Sequence, residues 1–144
     1  MPQESRLAQL ITQQIGVEND YLQCLSDLRD KVGIAAARLL LLEMFLDSQK
    51  RVAILTEMLE VIRGVPPGKS LWDHTLEEYV DEALVRKQFE EQVRKETNTL
   101  ANLKREITHT KDEGLRLLWQ NIEEDEKKHN KIIQTIISNL YKID

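Results

Sequence analysis

Two residues with metal-ligand side chains lie three positions apart in the sequence EEDEKKHNKII, which starts at Glu123: they are Glu126 and His129. Apolar residues at three- and four-residue spacing surround them, which predicts one face of an amphipathic helix. Because residues i and i+3 share a helix face, the carboxylate and the imidazole would be presented to one point. Oxygen and nitrogen ligands of this kind bind divalent cations. A single Glu-x-x-His sequence is common by chance, so other features of the chain must support a metal site.

An internal repeat with an offset of 78 residues supplies that context. Both halves keep the same apolar phase through two helices, and the segment FLDSQKRVAIL of the first half is the counterpart of the segment around His129. The repeat aligns the polar residues at the middle of the apolar stripes: Glu18 with Glu96, Ser48 with Glu126, and Arg51 with His129. The first half therefore has neither the glutamate nor the histidine of the Glu-x-x-His pair.

Four long amphipathic helices are predicted to carry these residues, in the ranges 4–31, 34–63, 76 or 82 to 108, and 111–141. Gly33 is the predicted stop of the first helix, and Gly64 with the two prolines that follow breaks the second. Thr110 and Glu113 are a predicted capping box for the fourth helix. The expected fold class is all-α, a bundle of four helices.

The connection 64–81 is needlessly long for a turn between antiparallel neighbours. In extended form it reaches about 60 Å, more than the length of one of these helices, about 44 Å. We therefore expect a long crossover between parallel second and third helices, with a short helix capped by Thr75 and Glu78 on the way. Trp72 in this connection is predicted to be a packing anchor.

Composition limits the class of protein. The 144 residues suit a single domain, 1–144, and the net charge of −5 argues against nucleic-acid binding. The most apolar segment, IAAARLLLLEMFL, contains Arg38 and Glu43 and is shorter than the roughly 20 residues that span a bilayer. Cys24 is the one cysteine, and no secretory signal is visible at the N-terminus. We expect a cytoplasmic protein without a membrane partner.

The first and third helices each have one core glutamate, and the fourth has Glu-x-x-His. In these features the chain resembles the ferritin-like di-metal carboxylate bundles of the rubrerythrin and bacterioferritin type. The resemblance covers nearly the whole chain. It implies a left-handed four-helix bundle with one long crossover between helices 2 and 3. It also implies a ligand set, in which Glu18, Glu96, Glu126 and His129 are retained, whereas Ser48 and Arg51 replace a bridging glutamate and a histidine.

Arg51 decides what such a centre can hold. Arginine stays charged at any accessible pH, so it would repel a metal ion and attract the carboxylates around it. We therefore expect Arg51 to take the place of the first metal; in the alternative, its stem lies along the core and its head is in water. Three carboxylates and one guanidinium leave two negative charges, which one divalent ion at Glu96, Glu126 and His129 would balance.

These residues suggest two main functions, and neither requires enzymatic activity. The first is a non-catalytic structural or interaction module, without a cofactor, whose di-metal centre is replaced by an Arg51–carboxylate cluster. The alternative is a mononuclear metal-binding protein that holds Fe, Mn or Zn at Glu96, Glu126 and His129, for redox chemistry or metal transport. A helical scaffold with an accidental resemblance, in which the buried glutamates only set the register, is a third hypothesis. A homodimer is compatible with the apolar second helix.

Overall fold

The computed structural model describes residues 5–66, 68–72 and 81–140, and within those ranges it has four helices and no strand. The predicted all-α class is confirmed. The helices are α1 (Arg6–Lys31), α2 (Ala35–Gly64), α3 (Glu82–His109) and α4 (Glu113–Leu140), close to the predicted ranges. The predicted helix start at 76, its cap by Thr75 and Glu78, and much of the connection 64–81 lie outside the described residues.

The chain divides into two compact units, Met1–His74 and Thr75–Asp144. In the first unit α1 packs against α2, and in the second α3 packs against α4. A short connection between two helices in contact makes each pair a helical hairpin. The single domain over 1–144 and the long crossover stay predictions, because they concern the assembly of the two hairpins.

Side chains close both ends of α1. Ser5 accepts a hydrogen bond of 3.1 Å from the Ala8 N–H, which satisfies a free amide of the first turn. At the other end, Arg38 of α2 donates from Nη1 to the carbonyl oxygens of Arg29 and Val32. These carbonyls lack helical partners, so the guanidinium both caps α1 and holds the start of α2 against it.

The turn between α3 and α4 differs from its prediction. The Thr110 hydroxyl donates a hydrogen bond of 2.7 Å to the carbonyl of Glu106, so this side chain ends α3 instead of starting α4. Asp112 caps α4, since its Oδ1 accepts a hydrogen bond of 2.9 Å from the Leu115 N–H. The predicted Thr110–Glu113 capping box is therefore wrong. Threonine and aspartate can both cap a helix, but the Thr110 hydroxyl is already hydrogen-bonded to the last turn of α3.

The apolar core follows the seam of each hairpin: Ala8, Ile11 and Leu25 are buried in the first unit, and Leu103 in the second. The predicted inward stripes are wider than these seams. Several of their residues are exposed: Met44, Met58, Leu115 and Ile122. A seam between two helices covers the centre of a stripe better than its flanks.

Trp72 is 54% exposed, so its predicted role as a packing anchor is wrong. It lies in a turn, where its N–H donates a hydrogen bond of 3.2 Å to the hydroxyl of Ser70. In the described part of the chain, no helix has an apolar stretch long enough to cross a membrane.

Candidate metal centre

Glu96 lies in the middle of α3 on the face that packs against α4, and it is only 6% exposed. The side-chain amide of Gln92, one turn earlier, donates a hydrogen bond of 3.0 Å to Glu96 Oε1. Glu96 Oε2 is also buried, and no N–H or hydroxyl group of the described residues donates to it. A buried carboxylate oxygen in this state needs a proton or a cation as its partner.

Glu126 and His129 of α4 supply the other two ligand groups. One ligand atom from each of Glu96, Glu126 and His129 can be chosen so that all three lie within 4.8 Å of one another. The separation between His129 Nδ1 and Glu126 Oε1 is 3.9 Å. The side chain of Glu126 is 22% exposed and that of His129 is 48% exposed, so the centre is closed at Glu96 and open to solvent at His129.

The pKa values of the two carboxyl groups shift in opposite directions. Hydrogen bonding between the two side chains lowers the pKa of Glu96 and raises the pKa of Glu126. Burial adds to the rise at Glu126 and opposes, without reversing, the decrease at Glu96. The positive charge of a protonated His129 would lower both pKa values. The environment therefore favours the ionised form at Glu96 and the protonated form at Glu126, because two adjacent carboxylates repel each other when both are ionised.

The first hairpin has a related arrangement with different partners. Glu18 of α1 has a side chain that is 4% exposed, and Gln14 donates a hydrogen bond of 3.3 Å to its Oε1. Arg51 Nη1 lies 3.9 Å from the same oxygen, although the Arg51 side chain is 58% exposed. Ser48, which the repeat aligns with Glu126, is 3% exposed.

The predicted site residues are thus distributed between the two hairpins. Glu96, Glu126 and His129 come together in the second. In the first, Arg51 pairs with Glu18 at the outer limit of an ion pair and keeps most of its side chain in water. A guanidinium on a long stem retains hydration in this way while its methylene groups cover apolar surface.

Two residues of the site were missed in the sequence: Gln14 and Gln92. Each lies four positions before a buried glutamate and donates to Oε1 of that glutamate. The signal was present, because the offset of 78 residues that aligns Glu18 with Glu96 also aligns the two glutamines. The repeat therefore conserves a Gln-x-x-x-Glu pair in which the amide orients the carboxylate.

The donor set of the second hairpin fits one divalent ion. Two carboxylates and an imidazole are ligands for Fe, Mn or Zn, and three protein ligands leave positions for water. Ligand atoms about 2 Å from an ion lie at most about 4 Å apart, so small side-chain rotations would close the present separation. Comparisons with protein-family models, with curated proteins and with solved structures found no match to this chain.

Proposed function

We propose that the protein binds one divalent metal ion through Glu96, Glu126 and His129. The observation that carries the proposal is that one ligand atom from each of these three residues lies within 4.8 Å of the others. In addition, Glu96 Oε2 is buried and has no hydrogen-bond donor among the described residues. A bound ion would satisfy that oxygen. Fe or Mn would supply redox chemistry, and Zn would supply Lewis acidity or be carried as cargo.

This chain's residues have separate roles in binding. Gln92 fixes the orientation of Glu96, which removes part of the entropic cost of gathering the ligands. The exposed His129 is the point of entry, because the imidazole can meet a hydrated ion before the buried carboxylate does. The raised pKa of Glu126 favours its protonated form beside Glu96, which limits the repulsion between the two carboxyl groups when no metal is bound.

The proposal includes a ferritin-like origin, with the long crossover and with one of two metal positions lost. The repeated Gln-x-x-x-Glu pair supports it, since Glu18 and Glu96 have the same oriented carboxylate in equivalent places. In the first hairpin the groups that would complete a site are Ser48 and Arg51. Arg51 supplies a fixed positive charge beside Glu18, which disfavours an ion there.

A second candidate is the non-catalytic structural or interaction module. The opposite pKa shifts of Glu96 and Glu126 favour it, because a pair in which one carboxyl group is protonated needs no metal to offset its charge. In this case the ion pair of Arg51 and Glu18 and the pair of Glu96 and Glu126 would both be structural. A homodimer and a cytoplasmic location stay predictions under either function.

Elemental analysis of protein purified without chelator tests the first candidate against the second. We expect one Fe, Mn or Zn per chain, and loss of the ion in Glu126→Ala. The matched control is Glu124→Ala, which removes a carboxylate that is 64% exposed on the same helix and should leave the ion in place. Metal-free protein that also fails to take up an added ion would contradict metal binding and leave the structural module.

A further inference from the structure

The second helix has an apolar stripe on the side that points away from α1. Leu39 and Leu46 are 44% and 51% exposed, and Leu42 between them is half-buried. Ser48 is 3% exposed and marks the side of α2 that packs against α1. Leu39 lies nine residues before Ser48 and Leu46 lies two before it, which are rotations of about 180° and about 200° around the helix. Both leucines therefore lie on the outer face of α2.

This outer stripe has the spacing of a seam between two helices. Ala35 lies four residues before Leu39, and Gln49 and Ala53 follow Leu46, so that the steps alternate between three and four residues. Ala35, Gln49 and Ala53 are all exposed. The seam from 35 to 53 covers about 28 Å of α2. Its alanines at both ends let a second helix approach closely along the whole length.

The seam is complementary to itself when two copies of α2 run antiparallel. In the register that places Leu42 opposite Leu46 of a second copy, Ala35 lies opposite Ala53 of that copy. Glu43 and Lys50 lie on one edge of the seam, and in this register Glu43 of each copy lies beside Lys50 of the other. Two-fold symmetry forms every such contact twice.

We infer that the outer face of α2 is the contact surface of a homodimer, with a second copy of this chain bound antiparallel to it. The leucines supply the apolar seam, and the two pairs of Glu43 with Lys50 fix its register. Glu43 also has a contact within its own chain, but a carboxylate accepts hydrogen bonds from more than one donor. The surface lies in the first hairpin, so it goes beyond the proposed metal binding, which uses residues of the second.

Other partners fit this face less well. In a parallel pair, Glu43 would lie beside Arg38 of the second copy, whose guanidinium already donates to two carbonyl groups at the end of α1. Lys50 would then lie beside the ring of Phe45. A purely acidic or purely basic partner helix would satisfy one of the two charges, Glu43 or Lys50, and repel the other. An antiparallel second copy satisfies both.

The first test is sedimentation velocity of the full-length protein in EDTA, between about 2 μM and about 200 μM, because dimer formation depends on concentration. We expect the native chain to change from monomer to dimer over this range. Leu46→Lys places a charge in the apolar seam and should weaken the dimer about tenfold or more. The matched control is Leu10→Lys on α1, which replaces a leucine that is also 51% exposed and should dimerise as the native chain does.

Charge reversal tests the antiparallel register. Lys50→Glu and Glu43→Lys should each weaken the dimer about tenfold at low salt, because like charges then meet at both symmetric positions. An equimolar mixture of the two variants should dimerise like the native chain, since each contact again pairs opposite charges. Circular dichroism checks that the helices are retained. If a charge variant loses its helices, the comparison of Leu46→Lys with Leu10→Lys decides.

Three results would overturn the inference: a native chain that stays monomeric at about 200 μM, equal dimerisation of Leu46→Lys and Leu10→Lys, or a mixture of well-folded charge variants that stays monomeric. Because EDTA is present throughout, failure of the dimer leaves the metal proposal of the second hairpin untouched. Equally, a chain that binds no metal can still form this dimer.

Discussion

The side-chain amide of Gln92 donates a 3.0 Å hydrogen bond to Oε1 of Glu96, one helical turn away. Glu96 Oε2 is buried and has no hydrogen-bond donor among the described residues, so a proton or a cation would be its partner. The same pair recurs as Gln14 and Glu18 at 3.3 Å. The two hairpins therefore share the oriented carboxylate and differ in the groups that α2 and α4 bring to it.

Replacing Gln92 should weaken metal binding without removing a ligand. In Gln92→Leu the Glu96 carboxylate loses its orienting donor, and loss of such a partner costs about tenfold or more in metal affinity. The measurement is competition with a metal-sensitive chelating dye. Gln14→Leu, the repeat-related control in the first hairpin, should keep the native affinity. Equal losses in both variants would show that the effect is one of general stability.

Glu126→Gln should stabilise the metal-free protein as the pH rises. The raised pKa of Glu126 means that its protonated form is favoured by the fold, so its contribution to stability is present at low pH and lost as pH rises through that pKa. A neutral amide keeps a donor for Glu96 and does not titrate. Thermal unfolding in EDTA should show a gain of up to about 1 kcal/mol near pH 8 that shrinks toward about pH 4.

The same variant should lose the stabilisation that an added divalent ion gives the native chain, because a carboxylate ligand is gone. Glu124→Gln is the control for charge alone, and neither effect is expected there. A Glu126→Gln protein that is less stable than the native chain at about pH 8 without metal would contradict the raised pKa of Glu126.

Restoring the missing ligand types should create a second ion position. Ser48→Glu combined with Arg51→His gives the first hairpin the residues that the repeat aligns with Glu126 and His129, around the already oriented Glu18. We expect one more ion per chain than in the native protein, measured by elemental analysis after dialysis. Arg51→His alone is the control and should add none, since it lacks the second carboxylate. An unchanged metal content in the well-folded double variant would argue against equivalent centres.

Arg38→Met should destabilise the first hairpin. The substitution removes the guanidinium that donates to two carbonyl groups at the end of α1. Loss of these hydrogen bonds should lower the free energy of unfolding by about 1 kcal/mol. Denaturant unfolding followed by circular dichroism measures the change. Lys50→Met removes an exposed cation from the same helix and should have a smaller effect. Metal affinity should not change in either variant.

The sequence by itself determined the four helices, because their apolar periodicity and their Gly and Pro breaks are local properties of the chain. It also placed Glu126 and His129 on one face, since three residues nearly complete a helical turn. The internal repeat identified the buried polar positions Glu18, Ser48 and Glu96, and these are buried in the structure. The same repeat contained the two orienting glutamines, which residue types alone did not single out.

Tertiary structure decided which side chains meet. The convergence of Glu96 with Glu126 and His129 depends on how α3 packs against α4, which no local pattern specifies. The cap of α4 went to Asp112 because Thr110 was already bonded to α3. Arg51 has many rotamers and a strong preference for water, so its sequence position could not say how far its head would reach toward Glu18. Helix periodicity is a short-range property, whereas these contacts depend on packing and on competition for partners.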